Sequence, residues 1–536
     1  MKRLLLAIGL LAIGVYVSAQ TQVIDYPVKG KRVTESLDIY RALVSDTAVI
    51  LEGNMYSRPH SWVKIASSSV LKGKNTGKLY RLVRASGIEL DKEVYMPETW
   101  TQDFALQFEP VNKEDKSVDF DELLTDGSGF KINSICLEEQ SPIGKIHCRI
   151  EGKTENPAYT RMILIPEGED LRVNEWISIP VLDGKFSYDF YTDEINMYSI
   201  VPWSDYMRGS MFLESFFSET GKVNLTFYSP DKNPLLYSDT PLNKELLQFK
   251  QKTDSLFMTP LRVESLRLKD EGKMESPEMK DLQKLFNETT DESKRKELRQ
   301  QMGQLYENGK AFSVEYEEFQ KKSKEAFKEF QAYALSYIQE NPSLVGLYLL
   351  KEQVQGMRGQ ETYTETYLKL YQELFTQKYP TSKMTQYMQD WVLAQGIKVG
   401  GKFIDFSAPD LNGISHTLSK EIAGKIALID LWASWCGPCR RTSLSMIPVY
   451  EAYKDKGFTI VGVARERAAE DMRGAIEKDK YPWLNLLELN DAGKIWEKYG
   501  VGNGGGCTYL VDKEGTILAI HPTAEEVKAI LEKYQN

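Results

Sequence analysis

Apolar and polar positions change period twice along this chain. Between about residues 22 and 235 the apolar residues come in short runs, as in Thr47-Ala48-Val49-Ile50-Leu51, Lys78-Leu79-Tyr80-Arg81-Leu82-Val83 and Phe104-Ala105-Leu106-Gln107-Phe108. Turn-forming residues punctuate these runs: Gly73, Asn75-Thr76-Gly77 and Asp126-Gly127-Ser128-Gly129. Short runs at such spacing predict strands, and the block 22–140 reads as a β-sandwich-like domain. A second block, 144–235, reads as a small β domain, with strands at Ile146–Ile150, Thr160–Ile165, Lys185–Tyr191 and Val223–Phe227. From Pro241 to about Gly396 the chain is charged and poor in glycine, and its apolar residues (Leu246, Phe249, Leu282, Phe286) fall at helical spacing. That segment, 241–396, reads as a helical connector, broken at Asn341-Pro342 and Pro380-Thr381-Ser382. The alternative is a dimerisation arm, which no sustained heptad supports.

The last segment, 399–536, alternates the two periods. Lys425–Ala433 is a continuous apolar run, and a helical pattern from Cys436 follows, with Pro448 expected to kink or end it. Strands are expected at Phe458–Ala464, Trp483–Leu489, Thr508–Val511 and Thr516–Ile520, and helices at Ala468–Lys478, Asp491–Tyr499 and Ala524–Lys533. The expected architecture is multidomain: two N-terminal β-rich domains, a helical connector and a C-terminal α/β domain.

Chemistry enters at the end of that apolar run, in Trp435-Cys436-Gly437-Pro438-Cys439. Two thiols separated by two residues close a small disulfide. The first sits at a helix N-terminus, where backbone N–H groups and the helix dipole stabilise a thiolate. The strand–helix order around Trp-Cys-Gly-Pro-Cys resembles a thioredoxin fold. In detail it is similar to the membrane-facing thiol–disulfide oxidoreductases of the TlpA and ResA type. Gly401-Lys402-Phe403 through Ala408-Pro409-Asp410-Leu411, then Leu418-Ser419, looks like their added N-terminal hairpin, and the helix between Val463 and Trp483 like their central insertion. The block 144–235 resembles the small β domain that precedes such modules in secreted bacterial proteins.

The motif and this resemblance together imply roles. Cys436 is the expected exposed nucleophile and Cys439 the resolving thiol. Trp435, Gly437 and Pro438 would meet the substrate, Gly437 by allowing close approach and Pro438 by holding the turn rigid. Asp430, alone in an apolar strand, matches the buried Asp of thioredoxins that moves the proton of the second Cys; the alternative is a structural carboxylate. A Gly-Pro spacer like thioredoxin's leans towards a reductant, thioredoxin lying near −270 mV against about −120 mV for DsbA. One departure stands out. Thioredoxin folds usually carry a cis-proline ahead of the strand Cys507-Thr508-Tyr509-Leu510-Val511, and here the position holds Gly506, approached through Gly502-Asn503-Gly504-Gly505. Gly506 and Cys507 therefore join the expected substrate-binding residues, Cys507 either as a third thiol or as a small buried residue in place of Thr.

Composition bounds the rest. Lys2-Arg3, the apolar Leu4–Val17 and Val17-Ser18-Ala19 read as a cleavable signal, 1–19, with maturation at Gln20 and no lipid-anchor cysteine, the alternative being an uncleaved anchor. That places the protein in the periplasm or cell envelope. A reduced dithiol there needs imported electrons, so a membrane thiol reductant is the expected donor and protein disulfides the expected substrates. Five cysteines are too few for a disulfide scaffold; Cys136 and Cys148, twelve apart across Pro142-Ile143-Gly144, either pair or are separate strand thiols. A net charge of −10 argues against nucleic acid. Four histidines without ligand spacing to the motif argue against zinc, and Arg440 after the second Cys argues against haem attachment. Ala433-Ser434-Trp435 lacks the Pro and Thr of a peroxiredoxin site. No cofactor beyond the Cys436–Cys439 disulfide is expected. The same residues would serve an isomerase or a cytochrome c maturation reductant. A reading from another class is an envelope binding or scaffold protein with an incidental thioredoxin module.

Overall fold

Pro241, where glycine-poor helical texture begins, is also where the chain changes compact units: one ends at Thr240 and the other starts at Pro241. The structure, a computed structural model, describes residues 21–29, 36–124, 129–138, 144–168, 177–209, 213–228, 232–356, 364–502 and 505–535. The expected signal 1–19, the turn at Asp126-Gly127-Ser128, and Asn503-Gly504 lie outside the described residues.

The first unit is β-rich. Its larger sheet has eight antiparallel strands from Gln22–Asp25 to Lys131–Cys136. Leu37, Ile39, Leu51, Leu106, Phe108 and Phe120 bury one contiguous core against it. Two four-stranded sheets follow. In one, Ile146–Thr154 pairs antiparallel with Lys185–Thr192 and parallel with Gly221–Phe227. One short helix, Trp203–Met207, joins strands of the other. Cys136 and Cys148 stand in different sheets and no disulfide joins them. Cys148 is buried, and burial pushes its thiol up to about 12.

The second unit opens with helices. Pro241–Thr253 runs through a π-helical turn, Asp254–Met258, into Thr259–Asp270. The long helix Val314–Glu340 packs on them through Phe249–Tyr337 and Phe257–Phe330 ring contacts, with centroids 4.8 and 6.1 Å apart. Ser276, Asp291, Ser313 and Ser382 cap helices by accepting from backbone N–H groups. The last helix before the C-terminal domain is α1 (Lys383–Ala394).

The C-terminal domain begins with a small hairpin, β1 (Ser407–Pro409) and β2 (Ser415–Thr417), leading into the short α2 (Leu418–Glu421). Its sheet comprises β3 (Ile426–Trp432), β4 (Phe458–Glu466), β5 (Leu484–Leu489), β6 (Cys507–Val511) and β7 (Ile517–Ile520), in the order β5-β4-β3-β6-β7. β3, β4 and β5 run parallel, while β6 and β7 are antiparallel. β3 is buried at every residue, as a central strand covered on both faces must be. The helices are α3 (Gly437–Tyr453), α4 (Ala469–Asp479), α5 (Ile495–Lys498) and α6 (Ala524–Gln535). α1 packs on α5.

Pro448 does not end its helix, and one expected boundary moves. α3 continues past Pro448 to Tyr453, because Met446, Val449 and Tyr453 are buried and hold the last turns in place. The helix expected at Asp491–Tyr499 is only the single turn α5. Asn490, Asp491 and Lys494 take left-handed backbone conformations (φ 51°, 56° and 49°), which no helix accommodates.

Candidate active site

β3 delivers Asp430 and the motif to the C-terminal edge of the sheet, and α3 begins there. Cys436 caps α3, its Sγ accepting from Cys439 N at 3.3 Å, with Pro438 in the first turn where its missing N–H costs nothing. Cys436 and Cys439 are joined by a disulfide, Cα–Cα 5.3 Å. Trp435, Gly437 and Pro438 are exposed around it. A Cβ at Gly437 would meet nothing nearer than Arg441 Nη1 at 3.6 Å, so that face is open to an approaching chain. Cys436 itself, expected to be exposed, is 6 % exposed. In the disulfide form its sulfur is turned onto Cys439 and the helix end.

Asp430 is buried beneath the pair. Its carboxylate accepts from Ser443 Oγ at 2.6 Å, and the same hydroxyl reaches Cys439 O at 3.1 Å. Burial pushes Asp430 up to about 7, against the opposing pull of the Ser443 bond. Ser443 lies one helical turn after Cys439, on the same face of α3, and that i+4 spacing is the sequence signal for it.

Sequence reasoning missed the group that holds the loop before the motif. Glu466, at the end of β4, accepts from both the N–H and the Oγ of Ser434, the latter at 2.8 Å. Burial, with Asp471 adding to it, pushes Glu466 up to about 7, although the Ser434 bonds oppose this. Arg440 grips the same loop from the other side. It donates to Ser434 O at 3.2 Å and pairs with Asp479 at 2.6 and 2.7 Å, and Tyr481 donates to Asp479 at 2.8 Å. Trp435 rests against buried Trp496 of α5, with ring centroids 6.0 Å apart.

On the far side stands the loop where a cis-proline is usual. The described residues contain no cis peptide bond. Gly506 N donates to Cys439 Sγ at 3.2 Å. A Cβ there would fall 1.8 Å from Leu431 O, so the close approach requires glycine. Cys507 is buried in β6, paired with Leu431, and burial pushes its thiol up to about 11. A sulfur so covered and so weakly acidic is a poor competitor for a mixed disulfide. Among the described residues no group of three or more His, Cys, Asp or Glu side chains is arranged to hold a metal ion.

Comparison with known proteins gives matches that each cover about a quarter of the chain. Residues 399–520 match the AhpC/TSA family. Over 141 residues the chain is 28 % identical to the thiol:disulfide interchange protein DsbE of Allochromatium vinosum, covering 24 % of this chain and 74 % of that protein. Over 150 residues it is 26 % identical to the thiol-disulfide oxidoreductase ResA of Bacillus thuringiensis, covering 28 % of this chain and 84 % of that one. Among solved structures, the thioredoxin domain of a thiol-disulfide oxidoreductase from Bacteroides vulgatus is 34 % identical, with 26 % of this chain and 99 % of that chain covered and a TM-score of 0.24.

Proposed function

We propose, from the premise that the C-terminal domain belongs to the thioredoxin-like thiol–disulfide oxidoreductases, that this protein reduces protein disulfides in the cell envelope. The observation that carries the reading is the Cys436–Cys439 pair at the start of α3, with an open face at Gly437 and a buried Asp430 below.

The chemistry follows from position. In the reduced protein the Cys436 thiolate, favoured by the helix N-terminus, attacks a substrate disulfide and forms a mixed disulfide, releasing one substrate thiolate. Cys439 loses its proton to Asp430 and attacks Cys436 Sγ. The bond to the substrate breaks, its second sulfur leaves, and the Cys436–Cys439 disulfide of this structure is the product. Two electrons pass to the substrate. A carboxyl group held near neutrality is matched to accepting that proton at working pH. A membrane thiol reductant returns the protein to its dithiol form. The signal-like residues 1–19 support export; among the described residues no helix is long and apolar enough to cross a membrane.

Insulin reduction tests this reading. The prereduced protein should precipitate insulin B chain with dithiothreitol as recycling reductant, and Cys436→Ser should be inert. Equal rates for the two would refute it. An isomerase needs the same residues, and refolding of a scrambled protein at substoichiometric reductant separates that activity from net reduction.

A further inference from the structure

Proline, the usual residue ahead of β6 in this fold, has no N–H; glycine has one, and here it is aimed at a reacting sulfur. Gly506 N lies 3.2 Å from Cys439 Sγ. The donor is fixed by the sheet. Cys507, the next residue, pairs with Leu431, and any Cβ at Gly506 would lie 1.8 Å from Leu431 O and 2.9 Å from Cys439 Sγ. Gly505, at φ +151°, brings the chain in by a route that side chains disfavour. The two sulfurs thus each face one backbone N–H: Cys436 that of Cys439 at 3.3 Å, and Cys439 that of Gly506.

A disulfide sulfur is a weak acceptor, whereas a thiolate is a strong one. The Gly506 bond is therefore weak in the oxidised state and strengthens when charge appears on Cys439. That is the logic of a preorganised donor aimed at developing charge. We propose that the Gly506 N–H is a catalytic hydrogen-bond donor that holds Cys439 as the thiolate for attack on the mixed disulfide. In that step the thiolate's electron pair forms the bond to Cys436 Sγ. The bond from Cys436 Sγ to the substrate sulfur breaks, and its pair leaves on that sulfur, which then takes a proton. No further oxidant or reductant is needed. The titratable side chains on the flanking elements are Asp430 on β3, Cys507 and Tyr509 on β6, and Cys436 and Arg440 beside Cys439 itself. Asp430 accepts the proton, and the Gly506 N–H holds the charge left behind. The inference rests on the dithiol reading above, but its test reads ionisation and not turnover.

The experiment uses the full mature chain carrying Cys436→Ser, which frees Cys439 from the disulfide. Cys439 is titrated by thiolate absorbance, taken as the difference from Cys436→Ser/Cys439→Ser. In parallel, the Gly506 amide is followed in protein labelled with nitrogen-15 and carbon-13 and assigned by its through-bond connection to Cys507. The amide proton should move downfield with the same midpoint as the thiolate. Adding Gly506→Pro should raise the Cys439 pKa by about one, a tenfold change in its ionisation constant. An amide resonance that stays put through the Cys439 titration overturns the proposal, as does an unchanged pKa in a folded Gly506→Pro protein. Should the proline variant fail to fold, the amide titration decides alone. Insulin reduction fails or succeeds independently of both.

Discussion

Asp430 and Glu466 are two buried carboxyl groups, one under the dithiol and one behind the loop that leads to it, and burial pushes both up to about 7. Both therefore keep their protons in the folded protein at pH values where the unfolded chain, with carboxyls near 4, has lost them. Below about pH 4 both states are protonated and the full stabilisation is present. It falls as pH rises from about 4 to 7, because the unfolded state alone gains from ionising, and above 7 it is gone. Asp430→Asn should remove its share of that slope, raising stability at pH 8 by on the order of 2 kcal/mol relative to wild type, as read by urea unfolding at pH 5 and 8. The same substitution should lower insulin-reduction turnover roughly 100-fold and erase the limb of its pH profile near 7. Asp430 is visible in the sequence because a lone carboxylate interrupts an apolar strand. Glu466 is not, since it follows Arg465 at the end of a strand, where a charged pair reads as solvated surface.

At the scale of elements, the motif's surroundings depend on how the end of β4 is tied to the loop before α5. Arg465 donates to Asp491 at 3.0 and 2.7 Å, both side chains fully buried, and the Arg465 guanidinium lies 5.2 Å from the Trp496 ring that supports Trp435. Removing one partner of a buried pair leaves an uncompensated charge. Asp491→Ala should therefore cost about 3–5 kcal/mol, read as a lower midpoint in denaturant. The same pair explains the misplaced helix. Helical spacing in Asp491–Tyr499 is present in the sequence, but Asp491 is spent on Arg465 in a left-handed conformation, so the helix starts at Ile495. A partner contributed by a strand 26 positions earlier cannot be seen in a local pattern. α4, by contrast, is legible because its local helical pattern agrees with its tertiary role, whereas the β1–β2 hairpin is reached through the family resemblance.

At the scale of the molecule, the change in texture at Pro241 coincides with the boundary between compact units. The individual strands of the first unit are readable from their apolar runs. Their pairing is not, since Ile146–Thr154 finds a parallel neighbour in Gly221–Phe227, far along the chain, and nothing local encodes that register. The export expected from residues 1–19 has a direct check: protein recovered from the envelope should begin at Gln20, and a retained Met1 would contradict it.

In the proposed reaction Cys436 attacks a protein disulfide and Cys439 resolves the product. The most direct measurement is covalent trapping with Cys439→Ser, in which the second step is blocked. That variant should accumulate a dithiothreitol-sensitive adduct with a disulfide-bonded protein substrate, linked through Cys436 by peptide mapping, while Cys436→Ser yields none. Adducts formed equally by both variants, or linked through Cys507, would contradict the account.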